Sequence, residues 1–210
     1  MKKKILTVAT IAMLVSIATS GTLAYFNAKG QAHNVITTGG VGIEIVEKIP
    51  DGDDPDTELD DFEDVSGVMP GADVDKIVTV KNIGEAEAWI RVWVNVGISE
   101  SGDPITNPTI KNLPLTITTA AGKEIDVITY EVDESKWLHG EDGYYYYLKP
   151  VDKGDSTDIL FDKVHFAKEM GNEYQNCIVL IDVSAEAVQT ANNPIPSGGD
   201  VSDIKGWPKN

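Results

Sequence analysis

The side chains that could perform acid–base or nucleophilic chemistry are few in this sequence. Its histidines are His33, His139 and His165, and its one cysteine is Cys177. No two histidines have the H-E-x-x-H spacing of a zinc pair, and no serine lies in a G-x-S-x-G elbow. Cys177 begins an apolar run, which favours a buried and inert thiol over an intermolecular disulfide. The sequence therefore predicts no catalytic residue, no zinc site and no enzyme.

A run of carboxylates between residues 51 and 64 is the second candidate, because calcium binds through oxygen ligands. The run reads DGDDPDTELDDFED, and its first half supplies Asp51, Asp53, Asp54 and Asp56. It departs from the EF-hand pattern, since Pro55 would occupy a ligand position and Asp56 the glycine position. We expect a solvated acidic loop, with a calcium site on these aspartates as the alternative.

Aromatic side chains are the third candidate, as a contact surface. Trp89 and Trp93 share one face of an alternating stretch, and four consecutive tyrosines occupy residues 144–147. Core packing and ordinary strand preference account for such residues. The alternative is a surface for self-association or glycan contact that includes Trp89 and Trp93.

The elements that would position these residues follow a two-residue period, which is typical of β-strands. The clearest stretch is 86–98, where small and β-branched residues alternate with Trp89, Arg91, Trp93 and Asn95. Turn sequences such as Asn82-Ile83-Gly84 separate the stretches. We expect an all-β fold, an antiparallel jelly-roll-like β-sandwich with long loops. Further strands are predicted at 41–47, 76–82, 113–119, 125–132, 144–149, 157–166 and 177–188, with a short helix within 167–174.

The N-terminus has the three parts of an export signal. Lys2, Lys3 and Lys4 precede a mostly apolar run over residues 5–20, and small residues follow at the positions before a cleavage site. We predict cleavage between Ala24 and Tyr25, with a single membrane anchor as the alternative. The apolar run is shorter than the roughly 20 residues of a spanning helix. The membrane is therefore an expected partner only before cleavage.

Charge and composition limit the other partners. The formal net charge is −17, and 41% of the residues are hydrophobic. Such a surface repels nucleic acid at long range, so no nucleic-acid partner is expected. We divide the chain into a signal peptide (1–24), an N-terminal segment (25–40), a β-sandwich domain (41–190) and a Pro/Gly-rich C-terminal tail (191–210) that we expect to be exposed.

Two sets of motifs resemble those of a known family. The junction GTLAYFN (21–27), followed by NVITTG (34–39), is similar to the processing region of proteins cleaved by SipW-type signal peptidases of Gram-positive bacteria. Downstream, MPG (69–71), VKNIG (80–84) and AWIRV (88–92) are similar to a P-G, V-x-N-x-G and A-x-I/V-R-V pattern. Together they resemble the TasA, camelysin (CalY) and BsaA group of secreted biofilm matrix proteins.

The resemblance implies a jelly-roll domain that polymerises into extracellular fibres by donor-strand complementation. The freed segment of one subunit, about residues 25–38, would add as a strand to the next subunit, with Phe26, Val35 and Ile36 as apolar plugs. Such head-to-tail contacts do not close and therefore build filaments. A disordered tail and a strand within its own chain are the alternatives for this segment.

The resemblance also indicates location and partners. It implies a protein secreted to the matrix or cell surface of a Gram-positive bacterium, with itself, a SipW-type peptidase and other matrix proteins as partners. Camelysin-like members are described as peptidases, so a secreted metallopeptidase is one alternative function, although this chain has no zinc motif. A monomeric surface module for glycans or calcium is the other. No cofactor is expected apart from the calcium alternative.

Overall fold

The computed structural model describes residues 26–33, 40–50, 60–63, 65–100 and 111–208. These residues form β-strands joined by turns, with two short 3-10 helices at Asn172–Tyr174 and Val201–Asp203. The strands are β1 (Phe26–His33), β2 (Ile43–Ile49), β3 (Asp60–Asp61), β4 (Val65–Val68), β5 (Asp73–Asp75), β6 (Ile77–Asn82), β7 (Ala88–Ser99), β8 (Thr116–Thr118), β9 (Glu124–Asp126), β10 (Ile128–Tyr130), β11 (Trp137–His139), β12 (Tyr145–Tyr147), β13 (Lys163–Phe166) and β14 (Ile178–Gln189).

The main sheet is built around its two longest strands. Its order is β11-β12-β7-β14-β1-β4, and β7 pairs with β14 antiparallel along the full 12 residues of each strand. Both strands are rich in valine and isoleucine, whose branched side chains suit a pleated and half-buried surface. The expected all-β fold with antiparallel sheets is confirmed.

Two three-stranded sheets, β3-β2-β6 and β10-β13-β5, form most of a second layer. The segment 157–162 continues this layer beside β6, because Leu160 N–H donates to Val78 O at 2.8 Å and Val78 N–H donates to Phe161 O at 2.9 Å. Of the strand predicted at 157–166, only β13 (Lys163–Phe166) is a β-strand. The residues before it still make backbone hydrogen bonds to β6. The predicted helix is reduced to the single turn at Asn172–Tyr174.

The hydrophobic core lies between these layers as one continuous cluster. The inner face of the main sheet supplies alternate residues that are fully buried, as two-residue periodicity requires. From β7 and β14 these include Ala88, Ile90, Val92, Val179 and Val183, and they pack with Val78 and Val80 of β6 in the same cluster. The arrangement is sandwich-like, with a buried apolar interior between the two layers.

A second, smaller cluster covers the outer face of the main sheet. The C-terminal segment crosses this face and buries Val201, Ile204 and Trp207, which are 1%, 3% and 8% exposed. They pack against Tyr144, Tyr146 and Val188. The prediction that residues 191–210 are exposed is therefore wrong for these positions, because apolar side chains spaced three apart turn toward the sheet. We call residues 191–208 the C-terminal strap.

Candidate assembly site

The N-terminal strand β1 lies inside the main sheet of its own chain. It pairs in parallel with β14, from Asn27 opposite Ile178 to His33 opposite Ser184. Its other edge pairs antiparallel with β4, where Phe26 lies opposite Val68. Both edges of β1 therefore make backbone hydrogen bonds, and the strand fills a slot between β14 and β4.

The sequence of β1, FNAKGQAH, carries one large apolar residue and no alternating pattern, and the strand is placed in the sheet by backbone pairing on both edges. Parallel neighbours in a sheet need a long crossover connection. Here nearly the whole domain separates β1 from β14 in the sequence. Strand β1 is therefore not joined to its neighbour β14 by a hairpin. Any identical strand that approached from the same direction could make the same backbone bonds.

The chain after β1 is attached to the domain by a clamp, which we define as residues 82–86 bound to residues 40–42. The O atom of Gly40 accepts from Glu85 N–H at 2.8 Å, and Gly42 O accepts from Ile83 N–H and Gly84 N–H, each at 2.9 Å. Gly84 packs flush against this segment, since a Cβ there would lie 2.5 Å from Gly42 N. The clamp thus fixes residues 40–42, which follow the N-terminal segment, to the loop after β6.

Asn82 holds the clamp loop in shape. Its side chain is fully buried, and its Oδ1 accepts from Gly84 N–H at 2.9 Å. Its Nδ2 donates to Ala86 O at 2.8 Å and to Val151 O at 2.9 Å. Burying an amide is favourable only when its donors and acceptor are satisfied. The Asn and Gly of the VKNIG motif therefore have a common structural role at this loop.

The MPG motif makes the turn between β4 and β5. Ala72 N–H donates to Met69 O at 3.0 Å, and Gly71 has φ +78°, which favours glycine. Gly71 N–H also donates to Phe166 O at 3.0 Å. This turn therefore joins the strand that borders β1 to the second layer.

Arg91, from the AWIRV motif, is buried on the outer face of β7 under the strap. Its Nε donates to Glu186 Oε2 at 2.8 Å, its Nη1 to Tyr146 Oη at 3.1 Å and its Nη2 to Pro208 O at 2.8 Å. The guanidinium lies 3.9 Å from the centre of the Tyr144 ring and 5.1 Å from that of Trp207. One side chain therefore links β14, β12 and the end of the strap.

The pKa values around Arg91 reflect burial and hydrogen bonding. Burial alone would lower the pKa of Arg91, but hydrogen bonds to Tyr146 and Glu186 outweigh it, and the net shift is upward. Burial, helped by the hydrogen bond to Asp142, raises the pKa of Tyr146 to about 12. At neutral pH the guanidinium is charged and the phenol is neutral. The Tyr146 hydroxyl can then accept from Arg91 and donate to Asp142, as observed.

The two tryptophans predicted as a surface lie in different settings. Trp89 is half-buried and its Nε1 donates to Asn193 O of the strap at 3.0 Å. Trp93 is 37% exposed, and its ring meets Tyr144 edge-on with centroids 5.2 Å apart. Trp93 is thus accessible, whereas the strap partly covers Trp89.

Other predicted site residues lie outside the described residues: Ala24, Tyr25, Val35, Ile36, Asp51, Asp53, Asp54 and Asp56. Phe26 is the first residue of β1. Cleavage, the apolar plugs at Val35 and Ile36, and the calcium alternative stay predictions.

The candidate chemical groups are widely separated. His139 lies in the main sheet, where its ring stacks on Tyr145 with centroids 4.5 Å apart. His165 lies in the β10-β13-β5 sheet, where its Nδ1 is 2.8 Å from Asp73 Oδ1. Cys177 is fully buried, and burial raises the pKa of its thiol to about 12. Across the described ranges, no group of three or more His, Cys, Asp or Glu could hold a metal ion.

A groove of about 450 Å³ lies between residues 131–136 and 158–162. Two of its carboxylates accept hydrogen bonds: Asp133 from Ser135 Oγ at 2.6 Å and Asp158 from Tyr147 Oη at 2.8 Å. In the part of the chain that the structure describes, no helix has the length and apolar character to cross a membrane.

Comparison with known proteins gave no match: no family model, no curated protein and no solved structure is significantly similar to this chain.

Proposed function

We propose that the protein is a secreted structural component of an extracellular biofilm matrix, which assembles into fibres by donor-strand complementation after its signal peptide is removed. The observation that carries this proposal is the position of β1. It fills a slot between β14 and β4, and only residues 34–39 connect it to the clamped segment that follows.

Exchange of β1 between copies would conserve nearly all of its interactions. The β1 strand of a neighbour has the same sequence and would pair with Ile178–Ser184 in the same register. The closed monomer and the open polymer would then differ mainly in the connecting residues and in the entropy of association. Domain swapping is a low-cost route to assembly for this reason, and each unfilled slot recruits the next copy.

The signal peptide gives this scheme a control point. While residues 1–24 remain attached, the segment that follows is tethered at the membrane. Cleavage before Tyr25 would free it to enter the slot of another subunit. The resemblance of residues 20–96 to SipW-processed matrix proteins supports this order of events and suggests such a peptidase as the processing partner, with other matrix proteins as further partners.

Paired cysteines test exchange directly. In a Cys177→Ala background starting at Tyr25, Gln31→Cys and Asp182→Cys place two thiols at positions that lie opposite each other in the β1–β14 register. A disulfide needs Cα atoms within about 7 Å. The same pair would therefore form within one chain in the closed monomer and between chains in a fibre.

The expected result is a ladder of covalent oligomers on non-reducing gels, whose share rises with protein concentration and with filaments in electron micrographs. The matched control is Lys29→Cys with Ser184→Cys, where the register displaces the two residues by four positions, about 13 Å. A chain lacking residues 25–38 should form no filaments. Only monomeric, internally bonded product at high concentration would refute the proposal.

A further inference from the structure

The clamp limits how far an exchanged strand can reach. Strand β1 ends at His33, and the domain holds the chain again from Gly40. Seven peptide units span at most about 25 Å when fully extended. A compact domain of this length is about 40 Å across. A subunit that donates β1 would therefore keep its clamp within about 25 Å of the end of the neighbour's slot, which is less than the width of one domain.

The clamp presents an apolar side chain to solvent. Ile83 is 55% exposed, which is the largest exposure among the large apolar side chains of the described residues. Its backbone N–H donates to Gly42 O, so the loop that carries it is bonded to the residues that follow the connection from β1. The monomer gains little from Ile83, because more than half of the residue's surface stays exposed.

We propose that the clamp loop, with Ile83 at its tip, is a contact surface between successive subunits, and that its occupant is a second copy of this chain. The inference rests on the proposed strand exchange and adds a second contact to it. Its basis is the short connection, which brings the Ile83 loop next to the rim of the neighbour's slot. Burial of Ile83 there would strengthen assembly without altering the closed monomer.

The test compares Ile83→Ser with a matched exposed isoleucine elsewhere. Ile195 is 39% exposed on the C-terminal strap, so Ile195→Ser removes a similar apolar side chain from a position outside the clamp residues. Each variant starts at Tyr25 and carries the Gln31→Cys and Asp182→Cys pair in the Cys177→Ala background. The concentration at which sedimentable fibre first appears is measured, and thermal unfolding of the monomer checks the fold.

We expect Ile83→Ser to raise this concentration about tenfold, equivalent to about 1.4 kcal/mol, while Ile195→Ser stays within about twofold. Ile83→Val, which keeps most of the apolar surface, should lie near the parent. Intermolecular disulfides in the parent with an unchanged threshold for Ile83→Ser would overturn this inference alone. Absence of intermolecular disulfides in the parent would overturn the strand exchange and this contact together.

Discussion

Replacing Arg91 tests whether the strap is an integral part of the fold. Arg91 is 4% exposed and bonds to Glu186, Tyr146 and Pro208 O. Removing one partner of a buried ion pair costs about 3–5 kcal/mol, because the other charge is left unpaired. We therefore expect Arg91→Met to lose about 4 kcal/mol of unfolding free energy, a large share of the stability of an ordinary domain.

The assay is urea unfolding of the chain that begins at Tyr25, followed by tryptophan fluorescence. Trypsin digestion adds a local readout, because Lys205 lies in the strap and release of the strap should speed cleavage there. Arg91→Lys keeps the charge but loses the planar fork, and we expect a loss of about 2 kcal/mol. The exposed pair of Lys153 and Glu85, 2.5 Å apart, provides the control, since Lys153→Ala should cost less than about 1 kcal/mol.

A double substitution separates the interaction energy between Arg91 and Glu186 from other effects of replacing each residue. If Arg91 mainly neutralises Glu186, then Arg91→Met with Glu186→Met should cost about 2 kcal/mol less than the sum of the two single changes. The reasoning fails if Arg91→Met costs no more than Lys153→Ala, or if strap cleavage stays at the parent rate. Either result would mean that the buried guanidinium does not secure the strap.

Two further predictions concern the clamp and the buried phenol. Gly84→Ala should lower the free energy of unfolding, measured by thermal unfolding, by about 1–3 kcal/mol, since its Cβ would lie 2.5 Å from Gly42 N. The control Gly42→Ala should lower it by less, because no neighbour lies closer than 3.4 Å to its Cβ. Equal losses would contradict this packing. The folded-state pKa of Tyr146 is raised to about 12, above the unfolded value near 10, so its contribution is complete below about pH 10 and is lost as the pH rises to about 12. Ultraviolet titration at about pH 11 should therefore give folded Tyr146→Phe the same tyrosinate count as the folded parent. In the unfolded state the variant should have a lower tyrosinate count than the parent, because Tyr146 of the unfolded parent is ionised at this pH. A lower count in the folded variant would refute the shift.

Periodicity predicted the long strands because their pattern has a direct physical cause. Alternate residues of β7, including Ala88, Ile90 and Val92, face the core as expected. The same pattern placed Arg91 on the outer face, yet that face is covered, so Arg91 is buried as well. Alternation reveals which residues share a face of a strand, but it does not reveal whether a distant segment packs on the other face.

Two segments could not be placed by periodicity, for different reasons. The strap is rich in proline and glycine, which favours an exposed tail, and only the three-residue spacing of Val201, Ile204 and Trp207 indicated burial. Strand β1 has no alternating pattern, so periodicity could not mark it as a strand, although its backbone pairs with both β14 and β4. The family resemblance marked the segment as one that adds to a sheet, and the geometry of the slot came only from the structure.

The parallel direction of β1 on β14 has a consequence for growth. An exchanged strand must enter every slot in the same orientation, so all subunits of a fibre would point the same way. The two ends would then differ chemically: one would expose a vacant slot and the other an unused strand. A synthetic peptide copying residues 25–38 would therefore cap one end and leave the opposite end free to elongate.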